Sequence, residues 1–301
     1  MWYWTGDGFS RARMARHSIG CDVVLCAPGP SMEKVERQPG ILVAALTKAY
    51  PLIKPDIFFG MDTPECYDRR VWAESFMKVS RAGYQGVQLD GKPLAMYPNT
   101  YFAPMREGPV SNIFRFRGHE TDFLWRRDTL MSALHVLIWM GAGANGHVLY
   151  FNGFNLGHSK DHDYTPGVEK KLTPALRRNN QHLFDKQIAL LAEFQRLAKL
   201  NGITCMNTSF DSPLGKFMPS RSLNVALDLA RRDIPKSEPL MHSFETDVGK
   251  KYLEKIRQSK VLPFNRNGIR AALQNQDKPR IPAQFIREFS LGPCPTLGIA
   301  S

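Results

Sequence analysis

The sequence predicts an α/β fold, in which a Rossmann-like, doubly wound parallel sheet carries helices on both of its faces. The main observation is that short apolar runs, with the length of buried strands, alternate with stretches in which apolar residues recur at helical spacing. A second observation is that several of the strand-like runs end in glycine or in small polar residues. In an open parallel sheet, residues at the carboxyl ends of the strands lie where ligands bind.

The chain has 301 residues, of which 43% are hydrophobic and 23% are charged, so it can bury a substantial core. We expect one large domain over residues 1–232. From residue 233 the composition changes, because prolines recur and eleven Lys and Arg residues stand against seven Asp and Glu residues. A basic amphipathic helix is predicted at 248–259. We therefore expect a mostly helical or irregular C-terminal extension over residues 233–301.

The net charge of the chain is +12 and its isoelectric point is near 9.6. This balance favours a polyanionic partner, which could be a nucleic acid, an anionic glycan surface or a nucleotide. No apolar run has the length of a transmembrane helix, so no such segment is expected. The five cysteines are odd in number and scattered, as is typical of reduced thiols in a cytoplasmic protein. The sequence does not indicate an oligomeric state.

The first strand and turn read DVVLCAPGPS. Asp22–Cys26 is predicted to be a buried strand, and Ser31 is predicted to cap a helix that extends to about residue 37. Such a unit presents free N–H groups at the positive end of a helix dipole, where phosphate binds. Gly29, Pro30 and Ser31 are therefore candidate phosphate-binding residues, with Gly29 placed against the phosphate. An ordinary strand-to-helix turn is the alternative.

The next two strands are predicted at 40–47 and 57–61, although the first could also run into a helix. The second ends at Asp62, whose carboxylate suits a ribose hydroxyl or a magnesium ion. The alternative is that Asp62 only starts the Asp-Thr-Pro turn. Beyond this point we expect a helix over 70–81, a strand at 86–89, and loops with short strands up to residue 122, which include a candidate substrate lid.

The pattern becomes regular again at residue 129. Residues 129–140 are predicted to form a buried helix that ends at Gly141. Thr129, at its start, either caps the helix or binds a phosphate, and the two roles are compatible. The following strand, from residue 147, carries Gly153 and Asn155 at its carboxyl end, and both are candidate nucleotide-binding residues.

The last predicted unit is a helix over 183–200 followed by a strand over 203–206. Apolar residues recur along the helix every three or four residues, and the helix is expected to end at Asn201-Gly202. The strand is followed by Asn207, which joins the candidate nucleotide-binding residues.

Three histidines are candidate catalytic bases. His158 and His162 lie with Tyr164 in a polar loop, and an imidazole titrates near neutrality, so it can accept the proton of an acceptor hydroxyl. The spacing of these two histidines also fits a metal site, but the loop lacks a helix and a third Cys or His ligand. Tyr164 is a candidate donor-binding residue. His182 lies just before the predicted long helix.

The order of these motifs resembles that of the MptE-like family, which includes archaeal 6-hydroxymethylpterin diphosphokinases. The motifs are APGPS after the first strand, KPDIFFGMD, MGAGA after a helix, a strand ending in NGFN, and NGITCMNTS. They cover roughly residues 20–215, and they are also similar to motifs of bacterial lipooligosaccharide sialyltransferases. The families usually have Gly at Ala27 and Asp at Asn155, and the sialyltransferases have Asn at Pro28. A cytidine-specific donor is therefore not implied.

The resemblance implies a nucleotide-dependent transferase. The leading hypothesis is a glycosyltransferase that moves a sugar from a nucleotide-sugar donor to an acceptor hydroxyl, on a polyanion such as modified DNA or a surface glycan. Residues 29–31 and Thr129 would hold the leaving phosphate, and similarity to the sialyltransferases places the general base near His182. One alternative is a diphosphokinase that uses ATP, with Mg²⁺ held by Asp62. The other is a basic nucleic-acid-binding module without catalysis.

Overall fold

The computed structural model describes residues 1–4, 9–11, 18–35, 38–50, 52–115, 122–126, 128–157 and 173–232. A nine-stranded sheet forms its centre, and two further sheets have two strands each. The strands, in chain order, are β1 (Trp2–Trp4), β2 (Phe9–Arg11), β3 (Asp22–Cys26), β4 (Ile41–Leu46), β5 (Ile57–Gly60), β6 (Met77–Arg81), β7 (Gln88–Leu89), β8 (Lys92–Pro93), β9 (Thr100–Ala103), β10 (Met105–Glu107), β11 (Phe123–Trp125), β12 (Val148–Asn152) and β13 (Thr204–Asn207). The helices are α1 (Arg70–Ala73), α2 (Thr129–Met140), α3 (Pro174–Leu200) and α4 (Leu223–Arg232).

The order of strands across the large sheet is β13-β12-β3-β4-β5-β6-β9-β1-β2. The seven strands from β13 to β9 are parallel, and β1 and β2 add an antiparallel pair at one edge. From β3 the chain builds the sheet outward through β4, β5 and β6 to β9, and then it returns to the other side of β3 with β12. The direction of building therefore reverses between β3 and β12, which makes this pair the topological switch point of the sheet.

Alternate residues of each strand face opposite layers of helices. On β3, Val23 and Leu25 pack in the apolar layer that contains α2 and the buried residues of α3. Val24 and Cys26 face the other way, into the layer that contains residues of α1 and α4. All four side chains are fully buried. A strand buried on both faces reads as a continuous apolar run, as DVVLC does. The prediction of a doubly wound sheet with helices on both faces is confirmed.

The structure also corrects three local predictions. No helix follows Ser31, since residues 31–35 are non-helical. The predicted helix over 70–81 is only the four-residue α1, and its second half is the strand β6. Helix α3 begins at Pro174, so His182 lies inside a helix and not before one.

Helix α3 projects beyond the carboxyl edge of the sheet. It has 27 residues and is therefore about 40 Å long, whereas the five-residue strand β12 spans about 17 Å. Its buried positions, Leu191, Phe194 and Ala198, lie in the C-terminal half that leads to the start of β13. The N-terminal half extends past the sheet and carries His182 and Leu183, both exposed.

Some expectations lie outside the described residues, namely the loop with His158, His162 and Tyr164 and the extension over 233–301. Every helix that the structure does describe is too short or too polar to cross a membrane. The four described cysteines are free thiols, and three of them, Cys21, Cys26 and Cys205, are buried.

Candidate functional site at the switch point

The loops after β3 and β12 pack directly against each other at the switch point. The Ala27 N–H donates to the Asn152 carbonyl at 2.9 Å. A Cβ atom built on Gly29 would lie 2.0 Å from the Gly153 carbonyl oxygen, and one built on Gly153 would lie 2.3 Å from the Ala27 carbonyl oxygen. Gly153 also has a φ of +78°, which favours glycine. Backbone packing therefore requires both glycines, and the phosphate contact expected of Gly29 stays a prediction.

Three polar side chains meet where β3, β12 and β13 end, and we call them the polar cluster: Ser31, Asn155 and Ser209. Asn155 Oδ1 accepts from the Ser31 N–H at 2.8 Å and lies 2.7 Å from Ser31 Oγ. Ser31 Oγ also lies 2.8 Å from Ser209 Oγ. Since a hydroxyl has one proton, Ser31 donates to Asn155 and accepts from Ser209. Asn155 Nδ2 has no hydrogen-bond partner among the described residues, so this N–H₂ group is available to a ligand.

Asn152 explains why no helix follows Ser31. Its Oδ1 accepts from the Glu33 N–H at 3.0 Å, and its Nδ2 donates to the Glu33 carbonyl at 2.8 Å. The fully buried carboxamide thus satisfies both main-chain groups of Glu33, including the carbonyl that a helix would pair with an N–H four residues later. The segment after Ser31 is therefore held in a non-helical conformation, and the phosphate-binding helix N-terminus predicted from the sequence does not form at residues 31–35.

A second group of polar side chains lies at the carboxyl end of β5 and the start of α2. The Asp62 N–H donates to Tyr67 Oη at 2.9 Å, and Tyr67 Oη lies 3.2 Å from Asp62 Oδ2. The Thr129 side chain lies close enough to the Tyr67 hydroxyl to lower its pKa slightly. Burial, and then the Asp62 carboxylate, raise the pKa of Tyr67. Tyr67 therefore binds one predicted site residue, Asp62, and it stays protonated as a hydrogen-bond donor.

Asp128 lies beside this group and caps α2. Its Oδ1 accepts from the Met131 N–H at 2.7 Å, so Asp128 and not Thr129 is the N-cap. Burial, and to a smaller extent the Asp62 carboxylate, raise the pKa of Asp128 to about 6 against the lowering effects of the Met131 N–H and the Arg126 charge. A carboxyl group with such a pKa changes its charge near neutrality, which is a property of many site residues.

Thr47 follows β4, between the polar cluster and the Asp62 group. Its φ is +45°, a conformation that is rare for a β-branched residue. Backbone strain of this kind costs roughly 1–3 kcal/mol and concentrates at functional sites. The end of β4 lies on the carboxyl edge of the sheet, between the ends of β3 and β5.

The structure gathers most of the predicted residues at this edge. Gly29, Ser31, Gly153 and Asn155 meet at the switch point, and Asp62 and Thr129 meet at β5. Pro30, in the turn between Gly29 and Ser31, is half-buried.

Asn207 and His182 have different places. Asn207 is fully buried, and it holds Ser209 by donating from Nδ2 to the Ser209 carbonyl and accepting from the Ser209 N–H. His182 is exposed on the projecting half of α3, where none of the described residues orients its imidazole.

The described residues also contain no group of three His, Cys, Asp or Glu that could hold a metal ion. Asp62 alone is a candidate for that role.

Tyr67, Asp128 and Ser209 were not among the predicted site residues. Asp128 carried a readable signal, since an Asp directly before an apolar helical run is a common N-cap. Tyr67 carried none, although its partner Asp62 is only five residues away, and Ser209 takes its role from its contact with the distant Ser31.

Comparisons with protein-family models, curated proteins and solved structures give no match. The resemblance to the MptE-like family therefore stays a hypothesis that rests on short motifs.

Proposed function

We propose that the protein is a nucleotide-dependent transferase that binds its donor in the crevice at the switch point, most specifically a glycosyltransferase with a nucleotide-sugar donor. The observation that carries the proposal is the reversal of strand order between β3 and β12, with the polar cluster placed at that reversal. In open α/β sheets this crevice is the usual ligand site. The free Nδ2 of Asn155 offers hydrogen bonds to phosphate oxygens, and the hydroxyls of Ser31 and Ser209 hold the Asn155 side chain in place, because their protons are used within the polar cluster.

These groups would act on the leaving nucleotide. As the bond between the sugar and the phosphate breaks, negative charge grows on the phosphate, and fixed hydrogen-bond donors lower the energy of that state. The Ser31 N–H, which we expected to serve here, already donates to Asn155 Oδ1. The proposal therefore shifts this role from the backbone of residues 29–31 to the Asn155 side chain.

The general base that activates the acceptor is proposed among His182, His158 and His162. The net charge of +12 fits an acceptor on a polyanion, either nucleic acid or an anionic glycan. The free thiols of the described cysteines agree with a cytoplasmic enzyme.

A second candidate function is favoured by the Asp62 group. The exposed Asp62 carboxylate lies close enough to Asp128 to raise its pKa. A single carboxylate can hold Mg²⁺ when substrate phosphates and water complete its coordination. An ATP-dependent diphosphokinase would use the site in this way, with Asp62 as the metal ligand.

The test is binding of CMP, UDP, GDP and ATP, with and without Mg²⁺, by thermal shift and calorimetry. A nucleotide at a hundred times its dissociation constant stabilises the fold by about 2.7 kcal/mol. Binding without Mg²⁺, followed by hydrolysis of the matching nucleotide-sugar, supports the glycosyltransferase. Binding of ATP only with Mg²⁺ supports the diphosphokinase. Binding of none, together with salt-dependent DNA binding, would contradict both and support a nucleic-acid-binding module.

The variant Asn155→Asp locates the site. An aspartate keeps the oxygen that accepts from Ser31, so the loops stay in place, but it replaces the free N–H₂ by an anionic oxygen. Nucleotide affinity should fall about tenfold or more, since a hydrogen bond to a charged group contributes about 1.5–3 kcal/mol. The matched control is Asn201→Asp, an exposed position at the opposite edge of the sheet. Equal affinities for both variants would place the nucleotide elsewhere.

A further inference from the structure

Phe210 is the one exposed Phe, Tyr or Trp among the side chains that the structure describes. Its side chain is 69% exposed, although apolar neighbours later in the same segment, Leu214 and Met218, are buried. The Phe210 ring is thus not packed into the apolar layer that contains Leu214 and Met218. Single exposed apolar residues are common, so the position of Phe210 decides whether its exposure has a function.

That position is the loop after β13, directly beside the polar cluster. Phe210 follows Ser209, whose Oγ lies 2.8 Å from Ser31 Oγ. It is therefore next in sequence to a residue that lines the proposed phosphate site at the switch point. The base of a nucleotide is joined to its phosphate by one ribose, so a base-binding group is expected within a short distance of the phosphate.

Hydrogen bonds hold the backbone in place both before and after Phe210 in the chain. Before it, the Thr208 N–H donates to the Phe151 carbonyl at 3.0 Å, and Asn207 holds the Ser209 backbone from both directions. After it, Ser212 donates from its backbone to the Ser209 carbonyl at 3.0 Å and from Oγ to the Phe154 carbonyl. Because the backbone on both sides of Phe210 is already ordered, the loop loses little freedom when a ligand stacks on the ring.

From these observations we propose that Phe210 is the stacking platform for the nucleobase of the donor. This proposal rests on the proposed nucleotide site and adds the place of the base to it. Every nucleobase has an aromatic face, so stacking on Phe210 contributes affinity for the base as such, and selection between bases falls to other contacts.

The test compares a nucleotide with the same molecule without its base. Calorimetry measures the dissociation constants of the best-binding nucleoside monophosphate and of ribose 5-phosphate for the wild-type protein and for Phe210→Ala. Loss of stacking should weaken the nucleotide roughly five- to a hundredfold and leave ribose 5-phosphate unchanged. Phe210→Trp should restore the affinity. Leu200→Ala is the matched control, because Leu200 is 71% exposed at the opposite edge of the sheet.

Three other outcomes would contradict the proposal, and each has a different meaning. If Phe210→Ala binds the nucleotide as tightly as the wild type, the nucleotide site stands and the stacking role is wrong. If nucleotide and ribose 5-phosphate lose affinity equally, Phe210 supports the loop and does not contact the base. If the wild type binds no nucleotide at all, the proposed function fails and the base site fails with it.

Discussion

Gly29 and Gly153 are interlocked: each lies where a side chain on it would strike the backbone of the other loop. The closest approach is between residue 29 and the Gly153 carbonyl oxygen, 2.0 Å from a Cβ at position 29. This contact joins the loops after β3 and β12, the two strands at which the sheet reverses. The two glycines therefore fix the width of the crevice at the point where we place the phosphate.

The first prediction is that Gly29→Ala destabilises the fold, whether or not a ligand is present. The methyl group must displace the Gly153 backbone, and forced packing of this kind costs about 1–3 kcal/mol. Urea unfolding measures the change. The control is Gly20→Ala, since a Cβ there has no atom within 4 Å and φ is not positive. If both variants unfold at the same urea concentration, the two loops are not in contact as described.

The second prediction concerns the pH dependence that comes from Asp128. Its pKa is raised from 3.8 to about 6 in the folded protein, chiefly by burial. Between about pH 4 and pH 6 the folded chain therefore binds more protons here than the unfolded chain does. The free energy of unfolding should fall as the pH rises through this window, by up to about 3 kcal/mol from this group.

The variant Asp128→Asn isolates that contribution, because Asn caps a helix as well as Asp does. Above pH 6 the variant should be more stable than the wild type by about 1–3 kcal/mol, and below pH 4 the two should converge. Thermal or urea unfolding across pH 4–8 measures the difference. The exposed Asp122, changed to Asn, serves as the control. A constant difference at every pH would show that Asp128 does not titrate in this range.

The third prediction concerns the base of the proposed transfer. If His182 accepts the acceptor proton, His182→Ala should lower turnover about a hundredfold or more and leave donor affinity nearly unchanged. His182 is exposed, so the variant should fold like the wild type. His158→Ala and His162→Ala are the comparison variants. A large loss in either of them, with none in His182→Ala, assigns the base to the loop, and no loss in any of the three leaves Asp62 or Asp128 as the candidate.

The fourth prediction is that a chain truncated after Arg232 folds and retains nucleotide binding. Both described apolar layers are built by residues from Met1 to Ala230. Circular dichroism and a cooperative urea transition test folding, and calorimetry tests binding. An insoluble or molten product would show that the extension completes the core, and the division at residue 232 would then be wrong.

The strands around the switch point were predictable because a continuous apolar run in the sequence is enough to identify a buried strand. The runs DVVLC and IFFG are buried on both faces, and such runs are recognisable without knowledge of their neighbours. The missed strand β6 carried a weaker signal in the alternation of Met77, Lys78, Val79 and Ser80. Lys78 obscured it, since a fully buried lysine is exceptional and here donates to the Glu74 carbonyl.

The site was less predictable than the sheet. The Ser-Met-Glu sequence after the turn looks like a helix start, and only the Asn152 carboxamide, more than a hundred residues later, shows why it is not. Tertiary contacts of this kind override local preference. The same holds for the polar cluster, because nothing near Ser31 in the sequence indicates that Asn155 and Ser209 will reach it.

The contact between Ser31 and Ser209 spans 178 residues of chain. At a synthesis rate of 5–20 residues per second, Ser209 follows Ser31 by roughly 9–36 seconds. The growing chain can pair β3 with β4, and β4 with β5, during that interval, but the crevice stays open on one side until β13 arrives. A ligand that requires the complete site would therefore bind only after β13 has been added. During biosynthesis it would stabilise the complete chain and not the partly synthesised one.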